Sequence, residues 1–219
     1  MNSNRCFPRE VAPTSCTCRD HRRKVLAHDD RTGHHQDVST TISRDATRVL
    51  LVALLLGAAV SVALGVYGSQ HEPTFEPITT LGFDSMIQMK VWLAVTAGVL
   101  AVGQLVGALW MYGKLGVAAP SWLGTGHRVF GFLAILVSLP VAYHCLWSLG
   151  FQTTDARVVT HSLLGCTLYG AFVAKVVTVR SRDTAPWQFP LVGGILFTAM
   201  VVVVLTSAGW YLNEFGAPV

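Results

Sequence analysis

Residues 129–150 read VFGFLAILVSLPVAYHCLWSLG, and after a seven-residue connection residues 158–179 read VVTHSLLGCTLYGAFVAKVVTV. A membrane-spanning helix needs roughly 20 mostly apolar residues, and each run reaches that length. The connection is short, so the two runs are expected to be antiparallel neighbours. His144 lies near the end of the first and His161 near the start of the second. Both imidazoles should then sit at a similar depth beneath one membrane face. Histidine inside a membrane span is rare and usually marks a functional site. Two of them at matched depth on neighbouring helices are the minimum for a bis-histidine haem or another metal centre.

The same pattern recurs outward from this pair. The chain is 52% hydrophobic and 13% charged, with a mean hydropathy of +0.48. A soluble domain carries about 25% charged residues, and the deficit here is concentrated after residue 48. Five stretches reach spanning length, at about 49–67, 90–112, 129–150, 158–179 and 189–212. A backbone in lipid must satisfy its own hydrogen bonds, and no alternation of period two suggests a barrel. The expected fold is therefore all-α, an integral membrane bundle of five transmembrane helices over residues 48–212. The first run starts late, is long, and is followed by no clear small-residue cleavage site, so it reads as a retained helix and not a signal peptide.

Short-flank charges set the expected orientation. Arg5, Arg9, Arg19, Arg22, Arg23, Lys24, Arg31, Arg44 and Arg48 precede the first run. With that end cytoplasmic, the same side receives Lys114, Arg128, Arg180 and Arg182, while the other receives only Lys90 and Arg157 with several carboxylates. The chain is expected in the cell membrane, N-terminus cytoplasmic and C-terminus outside. His144 and His161 are then near the outer face and His127 at the inner face. The basic balance reads as topology, with contact to the lipid bilayer. Nucleic-acid binding is not expected, since no recognition motif accompanies the charge.

Residues 1–47 are polar and basic and lack apolar periodicity, so they read as a disordered cytoplasmic tail. Cys6, Cys16, Cys18 and His21 match no standard zinc framework. No methionine occurs between Met1 and Met86, so a start inside this tail would need a non-ATG codon, for example at Val38. Residues 213–219 form a short outer tail. Cys145 and Cys166 read as small packing residues, at depths too different for a disulfide.

Gly57-x-x-x-Ser61-x-x-x-Gly65 and Gly103-x-x-x-Gly107 permit close helix contact in lipid. They read first as packing within the bundle and second as a homodimer interface. Six tryptophans, Trp92, Trp110, Trp122, Trp147, Trp187 and Trp210, fall near span ends, as an interfacial belt requires. The loop at about 68–89 is too short for a domain and long enough for a lid.

His127 and His144 are 17 residues apart, ~25 Å along a helix, and cannot share one iron. His144 with His161 is the workable pair and the expected metal-ligand set. His127-x-x-x-Gly131 and His161-x-x-x-Gly165 open consecutive helices. A glycine one turn from an imidazole leaves flat space that either a porphyrin edge or a neighbouring helix fills. Pro140 lies one turn before His144, where it frees a carbonyl and favours a kink. That matters because directly packed helices lie only about 8–10 Å apart, tight for a haem. Tyr143, Gly165 and Arg157 join the two histidines as candidate cofactor-binding residues, Arg157 toward a haem propionate. Lys175 lies ~21 Å further in than His161 and can snorkel. With His127 it otherwise marks an inner quinone or proton site.

Two resemblances extend this reading. Thr80-Leu81-Gly82-Phe83, Met89-Lys90-Val91-Trp92-Leu93, His127-Arg128, Pro140-Val141-Ala142-Tyr143-His144-Cys145, Leu149-Gly150-Phe151, His161-Ser162 and Tyr169-Gly170-Ala171-Phe172 look like an uncharacterised family of bacterial multi-pass membrane proteins, a match covering residues 48–212. More loosely, the His-x-x-x-Gly openings resemble transmembrane b-type cytochromes of the ferric-reductase and ascorbate-linked kind. Those families hold haem between histidines on two helices and often stack two haems. This chain supplies one such pair and no flavin or nicotinamide domain. The resemblance therefore implies a single haem b, served by a membrane quinone or a separate redox protein.

The leading expectation is a b-type haem between helices three and four, transferring electrons near the outer face. The alternative is a non-catalytic membrane subunit or assembly factor with structural histidines. A third reading, proton-coupled transport through His127, His144, His161 and Lys175, lacks the inverted repeat with broken helices that transporters show.

Overall fold

The structure is a computed structural model that describes the backbone of residues 20–218 and the side chains of residues 44–218. The chain divides into two units, Met1–Arg44 and Asp45–Val219. In the first, the described backbone is helical from Asp20, within the stretch whose composition reads as disordered. Adding turns to an existing helix needs no new nucleus, so an apolar span can carry helix into a polar flank. Cys6, Cys16 and Cys18 lie outside the described residues, as does the side chain of His21.

The second unit holds the bundle. Helix α1 (Asp20–Gln70) is followed by α2 (Met86–Met111), α3 (Leu123–His144), α4 (Ala156–Arg180), α5 (Gln188–Val204) and α6 (Trp210–Phe215). One π-helical turn, Cys145–Leu149, prolongs α3, and a second, Leu205–Gly209, joins α5 to α6. Among the described residues, five segments are long and apolar enough to cross a membrane: Arg44–Gln70, Met86–Met111, Leu123–Leu149, Ala156–Arg180 and Gln188–Phe215. Each covers one of the five apolar stretches of the sequence, to within one residue at the ends of the second and third, and the described secondary structure is all helical, as expected.

Local signals explain the helix ends. Ser85 caps α2, its hydroxyl accepting from the Gln88 N–H at 3.2 Å, while Gln88 Oε1 accepts from the Asp84 N–H at 2.8 Å. Asp155 caps α4 through the Val158 N–H at 2.9 Å. Such side-chain acceptors satisfy amides that have no partner inside the helix. At the end of α2 the Gly113 N–H donates to Trp110 O and the Lys114 N–H to Leu109 O, with Gly113 at φ 69°. This is the paired-bond stop that wants glycine in the left-handed region. Gly113→Ala is expected to cost about 1–2 kcal/mol, the penalty of a Cβ there, read as a lower unfolding midpoint in detergent.

Small residues set the packing. A Cβ on Gly103 would lie 3.3 Å from the Phe130 ring, one on Gly107 3.4 Å from His127 Nδ1, and one on Gly131 3.0 Å from Gln104 Oε1. These contacts zip α2 onto α3 in antiparallel register. Gln104 Nε2 also donates to the His127 carbonyl. Helix α1 meets α4 where a Cβ on Gly57 would lie 2.5 Å from Gly170 O, and Ser61 Oγ sits against Gly170. The small-residue stripes are thus used inside the bundle. Gln188, fully buried, ties the start of α5 to α1 by donating to Ala46 O at 2.7 Å.

Helices α2, α4 and α5 share a core of Ala97, Ala101, Leu168, Ala199 and Met200. Helices α3 and α4 are consecutive, yet they do not pack along their lengths. They are linked instead by hydrogen bonds of one tyrosine: Tyr169 Oη lies 2.9 Å from Ser138 Oγ and 3.1 Å from Ser138 O. The gap between them makes the site.

Candidate functional site

A cavity of about 400 Å³ lies in the half of the bundle nearest the α1–α2 and α3–α4 connections. That volume falls in the range of about 300–1,000 Å³ typical of small-molecule sites. Its wall is mainly apolar, with Lys90 from α2, Cys145 from the π-turn after α3, and Arg157, His161, Gly165 and Tyr169 from α4.

His161 is oriented by the π-turn that follows α5. Its Nδ1 lies 3.2 Å from Thr206 Oγ1, and that hydroxyl donates its one proton to Val202 O at 2.7 Å. The oxygen can then only accept from the ring, so Nδ1 carries the hydrogen and Nε2 keeps its lone pair, with the Cys145 thiol as its polar neighbour. Metal-binding histidines are held in this way, one nitrogen donating to the protein and the other facing the metal. Thr206 lies in the π-turn between α5 and α6, and its carbonyl accepts from Arg157 Nη1 at 2.8 Å. Single π-turns are frequent at functional sites because they redirect carbonyls and side chains. The Arg157 guanidinium lies 3.9 Å from the centre of the Trp210 ring and 3.9 Å from Asp155 Oδ2.

Gly165 borders the cavity, and a Cβ there would meet nothing within 4 Å. Gly131 is filled by Gln104. Of the two His-x-x-x-Gly openings, one therefore leaves open space and the other serves helix packing.

His144 is fully buried at the same end of the bundle, but it is not part of the cavity wall. Its Nδ1 lies 2.7 Å from Pro140 O and so carries the hydrogen, which leaves Nε2 buried with no partner among the described residues. Tyr143 is also outside the wall, half exposed, edge-on to His144 at 6.0 Å and stacked on Trp147 at 6.2 Å. Trp147 in turn touches the ring of His71, centroids 4.3 Å apart. The structure thus brings His161, Arg157 and Gly165 together and sets His144 and Tyr143 on a neighbouring face of α3. His127 lies at the far end of the bundle against Gly107, its Nδ1 without a hydrogen-bond partner among the described residues.

Two wall residues escaped the sequence reading. Lys90 counts there only as a flank charge, although its place in the second apolar run is a signal. Cys145 reads as packing, yet it faces the cavity close to His161 and Lys90. Cys145 and Cys166 are both free. Among the described residues no three His, Cys, Asp or Glu side chains group as a bare metal ion would need. A haem asks the protein for only two axial ligands.

The fold defines a multi-pass helical membrane protein with a ligand-sized cavity in one half of its bundle. Residues 50–219 match the family of unknown function DUF6529, and the chain belongs to that family. No curated protein and no solved structure matches it.

Proposed function

We propose that this protein binds a b-type haem in the cavity between α3 and α4 and passes electrons near the outer face of the cell membrane. The observation that carries the reading is His161. Its Nδ1 is committed to Thr206, and the ring stands in the wall of an apolar cavity of about 400 Å³ with the Cys145 thiol as its other polar neighbour. His144 is the second axial candidate, because its Nε2 is buried without a partner and the next residue, Cys145, already lines the cavity. Ligation through His144 requires its ring to turn from the face it now occupies. Gly165 leaves room for a flat macrocycle one turn from His161. A bound haem supplies one-electron redox chemistry, and its donor is a membrane quinone or a separate redox protein. The basic flanks, by the positive-inside rule, put this half of the bundle outside and the N-terminus in the cytoplasm.

One observation favours a second reading. His144 is fully buried, bonded to the backbone of its own helix, and outside the cavity wall, as a packing histidine would be. On that reading the protein is a non-catalytic membrane subunit or assembly factor.

An absorption spectrum separates the two. Protein expressed with ample haem and purified in detergent is expected to show a Soret band and, after dithionite, sharp α and β bands. His161→Ala is expected to remove them. A colourless, well-folded wild-type protein would overturn the haem reading and leave the subunit reading.

A further inference from the structure

Among the described residues, Lys and Arg side chains line the cavity at two positions and no acidic side chain does. Lys90 comes from α2 and Arg157 from α4. Arg157 is locked by the Thr206 carbonyl at 2.8 Å and the Trp210 ring at 3.9 Å, with Asp155 only at the outer limit of ion pairing, 3.9 Å. Lys90 has no carboxylate within ion-pair distance among the described residues, and its polar neighbour is the Cys145 thiol. Positive charge against apolar walls is costly unless an anion offsets it. A guanidinium already fixed in place is also well suited to grip a planar anion, since little side-chain freedom remains to be lost.

We infer that the ligand of this cavity is an amphipathic molecule bearing a carboxylate, which Lys90 and Arg157 bind while its apolar body lies along α3, α4 and α5. The inference rests on the reading of this cavity as the ligand site. A haem with its propionates and a long-chain fatty acid share the required chemistry. Lys90 is the specificity-determining residue: its polar neighbour in the wall is a thiol and no carboxylate among the described residues pairs with it, whereas Arg157 already has a carbonyl and a ring.

The test compares acids with their esters on the full-length protein in detergent. Haem and haem dimethyl ester are titrated by absorbance. cis-Parinaric acid and its methyl ester are titrated by fluorescence. The acid is expected to bind about 10–100-fold tighter than its ester, the usual worth of a charge-assisted hydrogen bond. Lys90→Met is expected to collapse that ratio toward one, and Lys90→Arg to keep most of it. Because the ratio is read on the wild type, the test stands even where a variant fails to fold. Equal affinity of haem and its ester would overturn the inference and leave the haem reading standing. Failure of both haem forms, with parinaric acid bound over its ester, would overturn the haem reading and support the inference. Failure of all four probes would overturn both.

Discussion

Gly170→Leu is expected to drive α1 off α4 and to cost about 3 kcal/mol or more, at the upper end of the penalty for overpacking a close contact. Even a single Cβ at Gly170 would run into Gly57 O and Ser61 Oγ. Two backbones that approach this closely cannot yield as flexible side-chain tips can. In lipid the loss is severe, because helices there associate through van der Waals packing and not through exclusion of water. The measurement is the unfolding midpoint in mixed micelles. Gly194→Leu on α5 is the control, since a Cβ there meets nothing within 4 Å, and its midpoint is expected to stay near wild type. The same pair tests the alternative use of the stripe. A homodimer interface at Gly57 and Ser61 would show as a changed oligomeric state with the monomer's stability intact. An unaltered midpoint in Gly170→Leu would refute the packing contact.

His144→Leu is expected to separate function from stability. The imidazole is fully buried, and its Nε2 has no partner among the described residues. An orphaned buried polar atom costs about 1–3 kcal/mol, against about 0.5–1.5 kcal/mol contributed by the Nδ1 bond to Pro140 O. Leucine fills a similar volume and removes both. The haem-free variant is therefore expected to unfold at the wild-type midpoint or slightly above it. Under the proposed function the same variant loses the sharp α and β bands of bis-histidine ligation. A histidine kept only for packing would behave in the opposite way, with a lowered midpoint and an unchanged spectrum.

Much of the bundle was legible in the sequence because its cause is local. Each apolar run must cross as a helix, whatever surrounds it, so the five spans follow from residues a few positions apart. The site was legible only in part. The spacing of His144 and His161 marked one end of the α3–α4 pair, but depth along a helix does not say which way a ring points. His-x-x-x-Gly occurs twice and means two things. Gly131 receives Gln104 from α2, while Gly165 faces open space, and both neighbours are set by helices distant in sequence. Lys90 and Cys145 were passed over for the same reason, since each becomes part of a site only when α2, α3 and α4 are placed around one gap.

The sequence alone determined that this chain is an all-helical, five-span membrane protein with rare histidines near one end, since hydrophobic length and backbone hydrogen bonding are properties of each segment taken singly. Only the tertiary structure decided that α3 and α4 stand apart, that Thr206 orients His161, and that Lys90 and Arg157 share a cavity whose described wall holds no acidic side chain. Those facts depend on which small residues let which helices approach, and that is a property of pairs of helices.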